Sequence, residues 1–369
     1  MITVLSVVSF AIWIYLLAFR GGFWRSTPVL ANRTASGNHK VAVVIPARDE
    51  ADNIRQCLTS LLAQDYTGEI AIILVDDNSS DGTGSIAASL GGDIAIIQGE
   101  ALPAGWSGKM WAVNQGLHHP KALEADYILL TDADIEHAPG HVSSLVAKAE
   151  RDGLDLVSEM VRLSCVTWAE RALIPAFVFF FQLLYPFATV ADPANKLAGA
   201  AGGTMLVSRA ALDRIDGVSR IKHCLIDDCA LAHEIKQGGK IWLGHSEKAV
   251  SLRVYEDATD IGNMIARTAY VQLQHSPLLL AGTVLGMIVT YLMPPLLALG
   301  MQGLAQLLGI ITWALMAYAF QPTLRRYRRS PFWGFALPAI GLFYCCATIA
   351  SAARHYAGRG GGWKDRVYP

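Results

Sequence analysis

The chain has 369 residues, 53% of them hydrophobic and 17% charged, with a formal net charge of −1. That length allows more than one folding unit. The balance is too apolar for an ordinary soluble protein, and the near-zero net charge excludes a general basic field for nucleic acid.

Residues 2–19 (ITVLSVVSFAIWIYLLAF) carry no charge. A helix of that length covers about 27 Å, close to a hydrocarbon core of about 30 Å. No basic residue precedes the apolar run, and no small-residue cleavage site follows it. The stretch 1–20 therefore reads as an uncleaved anchor, not a signal peptide. Arg20, Arg25 and Arg33 come next. By the positive-inside rule they place the N-terminus outside and the following domain in the cytoplasm.

Residues 41–162 alternate short apolar runs with helical patterns, within a domain expected to span 40–255. Val41–Pro46, Ile70–Val75, Ile94–Ile97 and Tyr127–Thr131 are expected strands. Ile54, Leu58, Leu61 and Leu62 make a helical stripe, and Gly108–Leu117 and Pro139–Glu150 are expected helices. Such alternation predicts an α/β domain with a mostly parallel, Rossmann-like sheet. Ligands of these sheets bind beyond the carboxyl ends of the strands. Pro46–Glu50, Asp76–Asp77 and Asp132–Asp134 all fall at such ends.

Residues 172–191 (ALIPAFVFFFQLLYPFATVA) have the hydropathy of a span. A crossing there would separate Asp132 and Asp134 from Asp227 and Asp228 by the bilayer. With Pro175, Gln182 and Pro186 inside it, the segment is expected to be interfacial or re-entrant, a buried core helix being the alternative. Residues 258–276 read as an amphipathic interfacial helix. Residues 277–353 hold further spans, the first two broken near Pro294-Pro295 or Gly300 and the last at about 332–352. Arg325-Arg326-Tyr327-Arg328-Arg329 marks a cytoplasmic turn between them. The tail, 354–369, carries Arg354, Arg359, Lys364 and Arg366. A last span that crosses would put those charges outside, against the rule, so one apolar block is expected not to cross or the rule fails there.

The chemistry-bearing residues follow from local geometry. In an extended chain residues i and i+2 share a side. Asp132 and Asp134 can then converge on one hard cation, and that cation could neutralise a diphosphate. Lys109 starts a helix, where the dipole disfavours a cation, so an anionic partner is expected there. Gly202 and Gly203 form a glycine-rich turn that a substrate could approach closely. Asp227 and Asp228 open another helix. His245 is a weak candidate for a third metal ligand, a surface histidine being the commoner outcome. The six cysteines form no Cys-x-x-Cys pair, which fits free thiols in a reducing compartment.

Taken together, Val41–Glu50, Val75–Thr83, Thr131–Asp134 and Ile226–Leu231 resemble a family 2 glycosyltransferase with the GT-A fold. Phe19–Trp24, Leu173–Gln182 and Leu225–Cys229 are more narrowly similar to the bacterial hopanoid-associated (hopene-associated) glycosyltransferases. The resemblance implies an inverting, metal-dependent transferase in the bacterial inner membrane. It implies a nucleotide-sugar donor, UDP-linked, and a lipid acceptor, a hopanoid hydroxyl. Pro46, Ala47, Glu50 and Asp76 or Asp77 would hold the nucleotide. Lys109, Asn114 and Asp132 would reach the donor, and Asp132 and Asp134 would hold Mg2+ or Mn2+. Asp228, after Asp227 where the family usually has glutamate, would be the general base. Gly202, Gly203 and Arg267 would lie on the acceptor side. The Gln-x-x-Arg-Trp motif of processive synthases is absent, which points to transfer of a single sugar. A polyprenyl-phosphate acceptor and a non-catalytic lipid-binding scaffold are the alternatives.

Overall fold

The computed structural model describes residues 2–360, together with the backbone of 362–363 and 366–367; Lys364 lies outside the described residues. Eight strands form one mixed sheet: β1 (Val41–Ala47), β2 (Ile70–Asp76), β3 (Ile94–Gln98), β4 (Tyr127–Thr131), β5 (Ile135–His137), β6 (Leu156–Arg162), β7 (Thr204–Ser208) and β8 (Ile241–Ser251). Their order is β3-β2-β1-β4-β7-β6-β8-β5. The first four are parallel, and β7 runs antiparallel between β4 and β6.

Register decides what meets at the rim. Ala47 pairs with Asp76, and Val44 with Leu130. The loops after β1, β2 and β4 therefore leave the sheet side by side. Because β7 is reversed, Thr204 pairs with Thr131. Gly202 and Gly203, at the entry to β7, reach the same rim as Asp132.

Strand side chains alternate between two faces. Val43, Ile45, Leu74 and Leu129 face one core under the helices Ala51–Leu62 and His141–Asp152. Val44, Ile73, Val75 and Leu130 face the other core, and that core continues into the apolar helices. Phe179 packs its ring on Phe23, Phe180 and Phe320, joining the helix Trp168–Leu184 to the end of the anchor and to the helix Gly303–Arg326. The sheet and the helical bundle thus share one hydrophobic core.

Among the described residues, four segments are long and apolar enough to cross a membrane: Ile2–Phe19, Pro277–Gly300, Gly303–Arg326 and Pro331–Tyr356. The segment expected to be interfacial or re-entrant, with a buried core helix as the alternative, is a helix largely covered by protein. Trp168–Leu184 starts at a capping box, in which Thr167 accepts from the Glu170 amide and Glu170 accepts from the Thr167 amide. Ile174, Val178 and Phe179 are fully buried. Pro186 ends the run, and a short second helix, Phe187–Ala191, packs on β8. Neighbouring helices cover it, so its hydropathy serves the protein interior. The amphipathic helix Ala258–Gln272 buries Ile261, Ile265, Ala266 and Tyr270 along one stripe.

Candidate active site

The rim holds a shallow cavity lined by Pro46, Lys109, Thr131, Asp132, Gly202 and Asp227 among others. The helix Gly108–Leu117 points its N-terminus into it, capped by Ser107, whose hydroxyl accepts from the Met110 amide. Gly116 lets this helix lie close to the sheet, since a Cβ there would come within 2.4 Å of Val44 Cγ1.

Lys109 is the centre of the site. Its Nζ lies 2.9 Å from Asp132 Oδ1 and 3.2 Å from Asp227 Oδ2. Burial works against its charge, but the carboxylates of Asp132 and Asp227 outweigh that and hold it protonated above the ordinary lysine range. One ammonium therefore joins the strand-end carboxylate to the helix-opening pair. Asp228 sits beside them. Its Oδ2 accepts from the Gly202 amide at 2.9 Å, and its Oδ1 accepts from the Cys229 amide. Burial and the neighbouring Asp227 push its carboxyl up to about 6, against Lys109, which pulls it down. A carboxylate with that value can accept a proton near neutral pH. Gly203 plays a supporting part: its carbonyl accepts from Thr131 Oγ1 at 2.8 Å, which fixes the turn against β4.

Asp134 has a partner that sequence reasoning missed. Arg253, just beyond β8, places Nε 3.1 Å from Asp134 Oδ2 and Nη2 3.3 Å from Glu50 Oε1. The Leu252 amide donates to the Asp134 carbonyl at 2.7 Å, so the two loops are tied through the backbone as well. Burial first, then the charge of Asp132, raises the Asp134 carboxyl to about 6, although Arg253 acts the other way. Two neighbouring carboxylates, the one at Asp134 poorly solvated, are a charge arrangement that a cation relieves, and in this structure Lys109 and Arg253 supply the positive charge. Among the described residues no group of three or more His, Cys, Asp or Glu converges to hold a metal. Asp132 and Asp134 fit Mg2+ or Mn2+ if oxygens of a diphosphate and water complete the shell, as hard cations allow.

At the β1 and β2 ends, Asp76 serves the turn, its Oδ1 accepting from the Ser79 amide. Asp77 is fully buried, its amide donating to the Ala47 carbonyl and its own carbonyl accepting from Arg48 Nη1 at 2.7 Å. Glu50 precedes the helix Ala51–Leu62, and its amide donates to Thr83 Oγ1.

Two expected site residues, and the weak metal-ligand candidate His245, lie elsewhere. Asn114 sits further along its helix and does not line the cavity. Arg267 is exposed on the amphipathic helix, and the arginine that reaches the strand-end carboxylates is Arg253. His245 is not the surface residue expected as the commoner outcome. It is fully buried, with Nε2 3.2 Å from Ser26 Oγ and its ring on Phe187, and burial lowers it to about 3.

A buried polar chain underlies the rim. His137 links Thr131 Oγ1 (3.1 Å) to His141 (2.8 Å), and His141 Nε2 lies 2.6 Å from Glu159 Oε2. Ser246 also donates to Glu159. The chain runs from the start of the Asp132 loop through β5 and β6 to β8. The spacing of His137 and His141 is visible in sequence, but their shared partner on β6 is not.

Residues 42–216 match the profile described as Glycosyl transferase family 2. This segment is similar to family 2 glycosyltransferase domains. An undecaprenyl-phosphate 4-deoxy-4-formamido-L-arabinose transferase from Enterobacter sp. (strain 638) is 32% identical over 140 residues, 35% of this chain and 39% of that protein. A 4,4'-diaponeurosporenoate glycosyltransferase from Staphylococcus aureus (strain bovine RF122 / ET3-1) is 32% identical over 107 residues, 29% of this chain and 27% of that protein. The chain thus matches well under half the length of either relative. Among solved structures, the mannosyltransferase PcManGT from Pyrobaculum calidifontis, in complex with GDP-Man and Mn2+, superposes with a TM-score of 0.58 at 18% identity, covering 99% of this chain and 100% of that one. That likeness shows a GT-A-like fold with long apolar helices at both ends.

Proposed function

We propose that this protein moves a single sugar from a nucleotide-sugar to a lipid acceptor at the membrane surface. The observation that carries the reading is Lys109, whose ammonium spans Asp132 and Asp227. It brings the donor-diphosphate end and the acceptor end of one site within a single side chain. Asp77, Ala47 and Pro46 form the nucleotide end. Asp132 and Asp134 would hold Mg2+ or Mn2+, which takes up charge from the departing nucleoside diphosphate. The Mn2+ in the structural neighbour supports that choice.

Asp228 and the Gly202 turn form the acceptor end. The names of the two sequence relatives favour an anionic lipid, a polyprenyl phosphate or a carotenoid acid, over the hopanoid hydroxyl. An anionic oxygen attacks without losing a proton, and Lys109 then offers it a counter-charge. One observation favours a hydroxyl acceptor instead: the Asp228 carboxyl, raised to about 6, suits a general base. The catalytic domain faces the cytoplasm in this reading, because Arg20 and Arg325–Arg329 flank the apolar helices on its side.

Asp228→Asn separates the two acceptors. With a lipid hydroxyl, transfer should fall by about a hundredfold or more. With a polyprenyl phosphate it should stay within about tenfold of the parent, since no proton is removed. Mass spectrometry of membrane lipids with and without the protein identifies which product forms. Unchanged lipids, together with nucleotide-sugar turnover that survives Asp132→Ala plus Asp134→Ala, would remove the enzymatic reading.

A further inference from the structure

Arg253 occupies one oxygen of Asp134, a carboxylate that would hold the divalent cation in the reading above. Its Nε is 3.1 Å from Asp134 Oδ2, and its other partner is Glu50, at 3.3 Å. The Leu252–Asp134 backbone hydrogen bond keeps its Cα beside the strand-end loop whatever the side chain does. The guanidinium is partly open, its side chain 37% exposed, so it can turn without unpacking a core. A planar five-donor fork suits phosphate oxygens at least as well as a carboxylate. We propose that Arg253 competes with the divalent cation for Asp134 and, when it yields that carboxylate, turns its fork to the donor diphosphate. This rests on the donor site proposed above.

The test uses the full chain in detergent, with Mn2+ alone and then UDP or GDP in the presence of Mn2+. Arg253→Gln should bind Mn2+ alone more tightly, by about threefold or more, because the competing charge is gone. The same variant should bind the nucleotide about tenfold more weakly, because a charge-assisted contact is lost. Arg253→Lys keeps the charge without the fork, and should leave Mn2+ binding near the parent while nucleotide binding still falls. A mere structural brace for Asp134 predicts the reverse first sign. Mn2+ affinity that drops or stays level in Arg253→Gln, in a protein whose melting temperature is unchanged, overturns the proposal. A parent protein that binds Mn2+ but neither UDP nor GDP would sink the donor reading itself, while the Mn2+ comparison would still report on Arg253.

A second inference rests on independent contacts. Pro331–Tyr356 has the length and hydropathy of a span, but its contacts bring both of its ends back toward the same neighbours. It enters along the end of Gly303–Arg326 that reaches the catalytic domain, where Arg326 donates to the Ser246 carbonyl. Gln321 donates to the Pro331 carbonyl and Trp313 to the Phe335 carbonyl, both at 3.1 Å. Gly341 then meets Tyr291, whose ring also contacts Trp13 of the anchor. From there the helix Leu337–Tyr356 turns back. Ser351 donates to the Ala266 carbonyl, Tyr356 pairs with Tyr270 at 2.9 Å, and His355 stacks on His275 at 4.2 Å. His275 lies two residues before the start of Pro277–Gly300, so the contact brings the chain back to the entry of that segment. Irregular backbone at membrane depth needs its carbonyls satisfied by protein, which Gln321 and Trp313 provide.

We infer that Pro331–Tyr356 is a re-entrant hairpin, that three segments cross, and that the basic tail shares a side with the catalytic domain. The sequence conflict over Arg354 and Arg359 then disappears. Reporter fusions decide it. Green fluorescent protein and alkaline phosphatase are each placed at the C-terminus and, separately, in the Gly91–Gly92 turn of the catalytic domain. Both sites should report the same side. Opposite sides overturn the inference.

Discussion

Asp228 shows how one residue's surroundings set both chemistry and stability. Burial and Asp227 raise its carboxyl from the ordinary 3.8 to about 6. A raised carboxyl favours the protonated form in the folded protein. Its stabilising contribution is therefore complete below about pH 4 and is lost as pH rises through about 6. At neutral pH the ionised group works against the fold, by an amount on the order of 3 kcal/mol at most. Asp228→Asn should accordingly raise the melting temperature at pH 7 and leave it nearly unchanged at pH 4. If the carboxylate is the base for a lipid hydroxyl, kcat/KM should fall about tenfold per pH unit below 6. A flat profile from pH 5 to 8 points to the anionic acceptor. The residues at this scale were legible because aspartates at strand ends and helix starts carry local signatures. Arg253 carried none, since its partners lie far away in the sequence.

At the scale of elements, the site depends on close contacts between secondary structures. The helix Gly108–Leu117 brings Lys109 to the rim only because Gly116 lies against Val44. Gly116→Val should cost about 1–3 kcal/mol by overpacking and weaken nucleotide binding in step, read by thermal denaturation and titration. Likewise the His137–His141–Glu159 chain braces Thr131, which in turn holds the Gly203 carbonyl. Glu159→Ala leaves a fully buried imidazole without its acceptor, at a cost of about 1–3 kcal/mol in denaturation. Glu159→Gln, which can still accept a hydrogen bond, should cost less. The strands β1 to β4 and the helix at Gly108 were readable from apolar runs and helical stripes. The reversed strand β7 was not, because its antiparallel pairing with β4 is a long-range choice with no local signal.

At the scale of the molecule, the catalytic sheet and the apolar helices share one core. Phe179 is fully buried where the anchor, the core helix and Gly303–Arg326 meet. Phe179→Ala should cost about 3–5 kcal/mol. The loss should appear as one shifted transition, followed both by tryptophan fluorescence and by nucleotide binding. Two separate transitions would mean that the domains unfold independently and that the shared core transmits little. This continuity fits an enzyme that takes an amphiphilic acceptor from the side, since the site cannot drift from the bilayer surface.

The sequence by itself determined the α/β core, the apolar helices and most of the acidic residues at the rim. Those depend on short-range periodicity and on residue types whose chemistry is local. Only the tertiary structure decided that Lys109 bridges two of these clusters, that Arg253 and not Arg267 reaches Asp134, and that 172–191 is interior. It alone brings His355 and Tyr356, at the end of the last apolar segment, against His275 and Tyr270. The physical reason is common to all four. Hydropathy measures what a segment avoids, and residue type measures what a side chain can bind, but neither specifies which distant partner the packed chain supplies.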